Sequence, residues 1–408
     1  MTERFVPETE EQVRDCIRWA ASDHRTVCIK GRGTKLQFGH AAATDCIVSL
    51  HSLQGIREYE SSELVMKAAA GTPLSHIEEA LAERGQRLAF EPLQLGRLYG
   101  ESDDNAGSIG GVFMGNLAGP RRFVVGAARD HLLGIRAVDG RGEIYKSGGK
   151  VIKNVTGYDI SKLLAGSWGT LSVVTELSFK VLPAPETSAT LAIQCSTRKD
   201  ALQLISGLAQ SPYEITGLAY FPGNTLSGFL QQLGQEGKLV LARLEGTMTS
   251  ITERMQAMRK SALLPDPHTM YEDEISDRIW RDVRDVEVFN DSERAPALLK
   301  LSIPPSAVLD ISRVIDQLGG CEWYSDAASG WLWVGICHGS SEDKINTLRR
   351  EINAVSGSAV LYRASENIKR HVGIYGVQPP ALAALTRRVK HAFDPENILN
   401  PGRLGLEQ

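Results

Sequence analysis

The chain has 408 residues, 42% of them hydrophobic and 23% charged, with a formal net charge of −4. That length calls for two or more cores, and that composition belongs to a folded globular protein rather than a disordered one. The slight acidic excess argues against a nucleic-acid partner, and no run approaches the ~18 apolar residues of a spanning helix. The first residues turn acidic at once and contain no apolar signal core, so a cytoplasmic location is expected, with any membrane association made through partners. Cys16, Cys28, Cys46, Cys195, Cys321 and Cys337 form no Cys-x-x-Cys pair. The nine histidines show no ligand spacing. These patterns point to free thiols and no protein-built metal site.

Thr9-x-x-Gln12 is a capping-box spacing that opens a helix to about Ser22, with Val13, Cys16, Ile17 and Ala20 on one face. Val27–Ile29 and Ile47–Leu50 read as strands on either side of the loop Gly31-Arg32-Gly33-Thr34-Lys35. Leu64–Ala68 reads as another strand, and Pro73 opens a helix carrying Leu74, Ile77 and Leu81 that Gly85 ends. Ile135–Val138 and Ile144-Tyr145 flank Asp139-Gly140-Arg141-Gly142 as a hairpin. Leu171, Val173, Leu177, Phe179 and Val181 alternate with polar residues, the pattern of a half-exposed antiparallel strand that Pro183 and Pro185 stop. Beyond it lie short strands at Lys238–Leu241, Leu298–Leu301 and Trp331–Val334, mixed with helices, and no repeat is visible. Pro379-Pro380 opens a last helix with Leu382, Leu385, Val389 and Ala392 on one face.

The chemistry concentrates in the glycine-rich loops. Gly31–Lys35 offers consecutive backbone N–H groups beside two cations, a concavity suited to phosphate. Asn105, Ala106, Gly107, Ser108, Ile109, Gly110 and Gly111 begin a second loop that continues through Gly115, Asn116 and Gly119. Gly148-Gly149, Gly157 and Gly166-Ser167-Trp168-Gly169-Thr170 add further points where backbone can lie close to a ligand. A long polar ligand such as a dinucleotide accounts for them together; separate structural turns are the competing account.

In order and content these motifs resemble the FAD-binding domain of the vanillyl-alcohol oxidase/p-cresol methylhydroxylase-type flavoproteins. Residues 25–183 and 386–403 carry the match. Within that superfamily the chain is most similar to the smaller, FAD-binding subunits of bacterial glycolate oxidase (glycolate dehydrogenase). The similarity rests on Phe90-Glu91-Pro92, Gly119-Pro120-Arg121-Arg122, Arg129–Gly134 and the long run from Gly148 to Ser161. A looser match lies at Trp280-Arg281-Asp282-Val283-Arg284. Ser108 stands where the family usually has Thr, and Asn116 where it often has Gly.

The resemblance implies an α+β protein: a two-part FAD-binding domain of the p-cresol methylhydroxylase type with an inserted antiparallel-sheet cap domain. The expected divisions are 1–185, 186–378 and a returning segment 379–408. It implies that Gly31, Arg32, Gly33, Thr34 and Lys35 hold the FAD pyrophosphate, with Gly71 nearby, and that Asn105–Gly111 and Asn116 run beside the flavin. Gly157, Asp159, Gly169, Thr170, Val174 and Asn400 complete the cofactor set. Members with covalent FAD often carry His in the first loop; Gly-Arg-Gly-Thr-Lys implies non-covalent FAD. The implied activity is oxidation of a small 2-hydroxy acid, glycolate to glyoxylate, as one subunit of an oxidoreductase complex. The His-x-Gly-Asp-Gly-Asn motif of the larger subunit is absent, so the implied partners are a second flavin subunit and an iron–sulfur subunit. A free-standing FAD-dependent dehydrogenase of a hydroxy acid or alcohol, and a non-catalytic scaffold stabilised by FAD, are the alternatives. Arg281 and Arg284 are candidate partners for a substrate carboxylate, since arginine binds carboxylates bidentately, although helix-surface pairing with Asp282, Asp285 and Glu287 is the better account of each singly. His131, beside Asp130, is a candidate base or a core residue.

Overall fold

The computed structural model describes residues 3–41, 43–101, 107–149, 158–223, 225–261 and 263–405. The chain divides into two compact units. The first comprises Met1–Ala118, Gly126–Ala184 and Val377–Gln408, and the second Gly119–Val125 and Pro185–Gly376.

In the first unit Thr9 caps the helix Glu10–Ser22 by accepting from the Gln12 amide, while the Gln12 side chain reaches back to the Glu8 amide. Val13, Ile17 and Ala20 are fully buried along its inner face. Glu3–Phe5, Cys46–Ser49 and Val27–Lys30 form a parallel sheet in that order, and Leu399 bridges to Val27 in parallel. A second, antiparallel sheet runs Ile56–Glu60, Val65–Ala69, Ser172–Lys180, Leu132–Asp139 and Ile144–Gly148. Ser172–Lys180 is not the half-exposed strand that its alternation predicts. It lies between two neighbours, and its polar Ser172, Thr175 and Ser178 are buried along with Val173, Leu177 and Phe179. Alternation sorts the two faces of a strand, but it does not show whether both are covered.

The second unit is built on an eight-stranded antiparallel sheet. Its strand order is His268–Glu272, Thr187–Cys195, Lys238–Gly246, Gly217–Pro222, Cys321–Asp326, Trp331–Ile336, Ala297–Ser302 and Ser358–Arg363. The sequence shows no repeat, yet the elements do repeat. Each half of the sheet is a strand–helix–strand–strand–helix–strand unit of split βαβ type, and the halves join where Tyr220 pairs with Ser325. Helices Arg198–Ala209 and Met248–Lys260 in one half, and Val308–Leu318 and Ser341–Ala354 in the other, cover one face with a continuous apolar core. Helix Asp273–Arg284 lies on the opposite face of the first half, where the Trp280 indole donates to Thr190. Segment 119–125 joins this unit through a bidentate pair between Arg121 and Glu245, both almost wholly buried.

Candidate functional site: a cationic cleft between glycine loops

A cleft of about 660 Å³ opens in the first unit among three loops. Residues Ile29–Leu36 supply one wall, Ser108, Gly110, Gly111, Met114 and Gly115 a second, and Trp168, Gly169, Ser172 and Val174 a third. The loops pack on one another first. A Cβ at Gly31 would run into the Ser108 hydroxyl. Gly169 has φ +74°, and a Cβ there would sit 2.8 Å from Asn400 Nδ2. These two glycines are therefore required by contact between loops. The Asn400 side chain links two of the walls: its Oδ1 accepts from the Ile29 amide at 2.8 Å and its Nδ2 donates to the Trp168 carbonyl at 2.9 Å. Trp168 itself has φ +55° and stacks on Phe38 at 3.8 Å. A bulky residue holds such a backbone only where its surroundings enforce it.

The electrostatics of the cleft are one-sided. Lys30, Arg32, Lys35 and Arg403 line it, and among the described residues no lining residue is acidic. Lys35 is 9% exposed, and burial together with the nearby Arg403 guanidinium pushes its ammonium down to about 8. Its hydrogen-bond partner is the neighbouring Thr34 hydroxyl at 3.1 Å. Among the described residues the amides of Gly31, Gly33, Thr34 and Lys35 donate to no protein acceptor. Unused amides around a buried, uncompensated cation are the complement of a pyrophosphate. The residues present fit the diphosphate of FAD.

The expected set maps unevenly onto this cleft. Gly31, Arg32, Gly33, Thr34, Lys35, Ser108, Gly110, Gly111, Gly169 and Val174 line it, and Gly107 backs onto the Lys35 ammonium. Asn105, Ala106 and Gly157 lie outside the described residues. Five residues are placed elsewhere. Gly71 packs against the Leu50 carbonyl, and Ile109 is buried at the start of helix Ile109–Met114. Asn116 accepts from the Arg129 amide, Asp159 caps helix Ile160–Leu164, and Thr170 donates to the Ser167 carbonyl. Met114, Trp168 and Ser172, which lie in the expected ligand-facing runs but outside the named cofactor set, also line the cleft, as does Arg403. Arg403, in the closing Pro401-Gly402-Arg403, donates to the Lys35 carbonyl at 2.6 Å. Only the chain's return, marked by Asn400, hinted at it.

The catalytic candidates fare differently. Arg284 turns its guanidinium fork onto Asp285, and Arg281 is exposed on the same helix. His131 is a core residue, 3% exposed and 5.1 Å from the Phe90 ring, while Asp130 accepts from the Ala127 amide. Among the described residues no cluster of three metal-ligating side chains occurs, and no helix is long and apolar enough to cross a membrane.

A cationic cleft between glycine loops, in a chain that also carries an eight-stranded antiparallel sheet, fits an FAD-linked oxidoreductase. Residues 4–148 match the FAD binding domain family, and 375–404 match the C-terminal domain of FAD linked oxidases. The glycolate oxidase subunit GlcE of Escherichia coli (strain K12) is 31% identical over 394 residues, covering 96% of each chain. This chain belongs to that family of FAD-linked oxidoreductases. A D-lactate dehydrogenase of Archaeoglobus fulgidus is 26% identical, covering 98% of this chain and 91% of its own. The fold is that of p-cresol methylhydroxylase, with a TM-score of 0.71 at 14% identity over 98% of this chain and 88% of that one.

Proposed function

We propose that the chain is an FAD-carrying subunit of a glycolate-oxidising complex, converting glycolate, a 2-hydroxy acid, to glyoxylate and passing electrons to partner subunits. The end-to-end similarity to a glycolate oxidase subunit carries this reading. FAD, when bound, supplies two-electron redox chemistry to the complex. The protein's own work is to bind and orient. Lys35 and the Gly31–Lys35 amides hold the diphosphate, and Asn400 keeps the Ile29 and Trp168 walls in register around it. Among the described residues none that lines the cleft is His, Cys or Tyr, which supports a cofactor held without a covalent link. FAD is held non-covalently in this reading. The six cysteines lack cluster spacing, so an iron–sulfur centre belongs to a partner chain, and a second flavin subunit completes the assembly.

The test is an absorbance spectrum of the purified chain, followed by acid precipitation and then anaerobic glycolate or D-lactate. Release of FAD into the acid supernatant is expected. Glycolate should bleach the flavin in the assembled complex and leave the isolated chain oxidised. Sustained turnover of glycolate by the isolated chain would make it a self-sufficient dehydrogenase and end the subunit reading.

A further inference from the structure

The two outer edges of the eight-stranded sheet are finished differently. At one end Ser358–Arg363 is covered by residues 372–374, and the Leu361 amide donates to the Ile374 carbonyl at 2.9 Å. The buried Arg349 fastens that cover by donating to the carbonyls of Val372, Gly373 and Ile374. At the other end His268–Glu272 pairs residue for residue with Thr187–Cys195, without a bulge. Every second residue of an edge strand turns its N–H and C=O away from the sheet. Among the described residues no strand lies beyond His268–Glu272, and no backbone group outside the Thr187–Cys195 pairing bonds to it. Edges are commonly protected by a lysine, a proline or a bulge within the strand. His268-Thr269-Met270-Tyr271-Glu272 contains none of these, and its central Met270 is 37% exposed.

The two ends of this strand differ in charge. At its start the His268 Nε2 lies 3.1 Å from the Arg259 guanidinium, where Arg259 and Lys260 close helix Met248–Lys260. Asp266 lies on the other side of the ring, 3.0 Å from Nδ1. At the far end Glu272, Asp273 and Glu274 follow one another and are all exposed. Glu272 stands at the N-cap of helix Asp273–Arg284, but its carboxylate makes no capping bond. The edge is therefore self-complementary. An antiparallel pair centred on Met270 sets Met270 against Met270 and Thr269 against Tyr271. It also sets His268, with its Arg259, against Glu272, and does so twice by symmetry. His268, Met270 and Glu272 share one face of the strand, so each Glu272 carboxylate comes beside the Arg259 guanidinium of the other copy.

We propose that His268–Glu272 is a self-association surface: two copies of the chain pair antiparallel along this edge, with Met270 on the two-fold axis, and join their large sheets into one continuous sheet. Main-chain hydrogen bonds supply the adhesion, and the Glu272–Arg259 pairs fix the register. The inference stands on the sheet edge and is independent of the function proposed above.

The experiment is sedimentation velocity of the full-length chain, with its FAD, over a wide range of concentrations. Wild type should sediment as a reversible dimer. Met270→Lys places two ammonium groups at the axis and should give a monomer, with circular dichroism and FAD content reporting that the fold is kept. Glu272→Arg and Arg259→Glu should each weaken the dimer about tenfold or more, because each sets like charges opposite one another twice. The chain carrying both changes should recover the dimer, which a purely structural role for either residue does not produce. Met270→Cys should cross-link to itself under mild oxidation, since opposed Cα atoms of an antiparallel pair lie about 4.5–5.5 Å apart, within disulfide reach. Wild type, with its six native cysteines, is the control. A chain that is monomeric throughout, or a dimer that Met270→Lys and Glu272→Arg leave intact, overturns the surface. A monomeric chain whose entry into a complex with other subunits is blocked by Met270→Lys would give the edge to a different partner and overturn it as well.

Discussion

Lys35 and Lys390 lie in the same unit with nearly equal burial, 9% and 8% exposed, and have opposite surroundings. Lys390 donates to Asp394 at 2.6 Å, to the Thr170 carbonyl at 2.7 Å and to the Leu399 carbonyl at 3.0 Å. Asp394 in turn accepts from the Ile398 and Leu399 amides. That network is closed and holds the returning C-terminal segment together. Lys35 has a single hydroxyl, a neighbouring arginine and a ring of unused amides. A buried cation with its acceptors built in is structural, whereas one surrounded by donors fits an anion brought from outside.

The sharpest way to break this contrast is to remove each charge in turn. Lys390→Met strands Asp394, which is 0% exposed, and should cost about 3–5 kcal/mol of stability by denaturant unfolding of the FAD-free protein. FAD affinity, measured where the variant is still folded, should stay close to wild type. Lys35→Met should do the reverse. Loss of a charge-assisted bond to the diphosphate should weaken FAD about 10–150-fold, following the ~1.5–3 kcal/mol typical of such bonds. The FAD-free protein should unfold no earlier than wild type, because an uncompensated charge has been removed. A Lys35→Met chain that binds FAD normally would mean that the amides alone suffice.

pH tests Lys35 without mutation. Lys35 titrates at about 8 in the folded chain, against 10.5 in an ordinary lysine. Below pH 8 it is charged both with and without FAD, so affinity is level. Above pH 8 binding must return the proton, and affinity should fall by up to about tenfold per unit. Stability of the FAD-free chain runs the other way. Between pH 8 and 10.5 the unfolded chain binds the proton that the folded chain has released, so the Lys35 contribution rises across that window. Lys35→Met should flatten both profiles.

What could be read from the sequence was local. Thr9 and Gln12 capped as their spacing demands, and Gly31–Lys35 with Ser108, Gly110 and Gly111 reached the cleft because close glycines, small hydroxyls and cations describe a loop by themselves. The Trp168 run was flagged for its glycines alone, and the part played by the indole, like that of Arg403, could not be found that way. Each becomes a wall residue only when distant segments meet, as when Asn400 fixes the Trp168 carbonyl. The two-fold repeat of the large sheet is a property of strand order, which periodicity does not record. Lys300 looked like one residue of a short strand until the pairing set it between two indoles.

The smallest expected effect comes from a misread pattern. Leu382, Leu385, Val389 and Ala392 repeat at helical spacing after Pro379-Pro380, as a core-facing stripe would. In helix Pro380–Phe393 the side chain that is buried is Lys390, while Leu382 and Leu385 are 48% and 53% exposed. The polar network at Lys390 sets the rotation of the helix, because leaving a buried carboxylate unpaired costs more than leaving two leucines half wet. Leu385 and Val389 instead edge an open recess of about 900 Å³ with Leu163, Leu171 and Leu404. Leu385→Gln should therefore change the unfolding free energy by less than about 0.5 kcal/mol, the range of surface substitutions. A loss of about 2 kcal/mol or more, the size expected for a core leucine, would mean that the stripe is covered in solution and that the periodicity was right about what it faces.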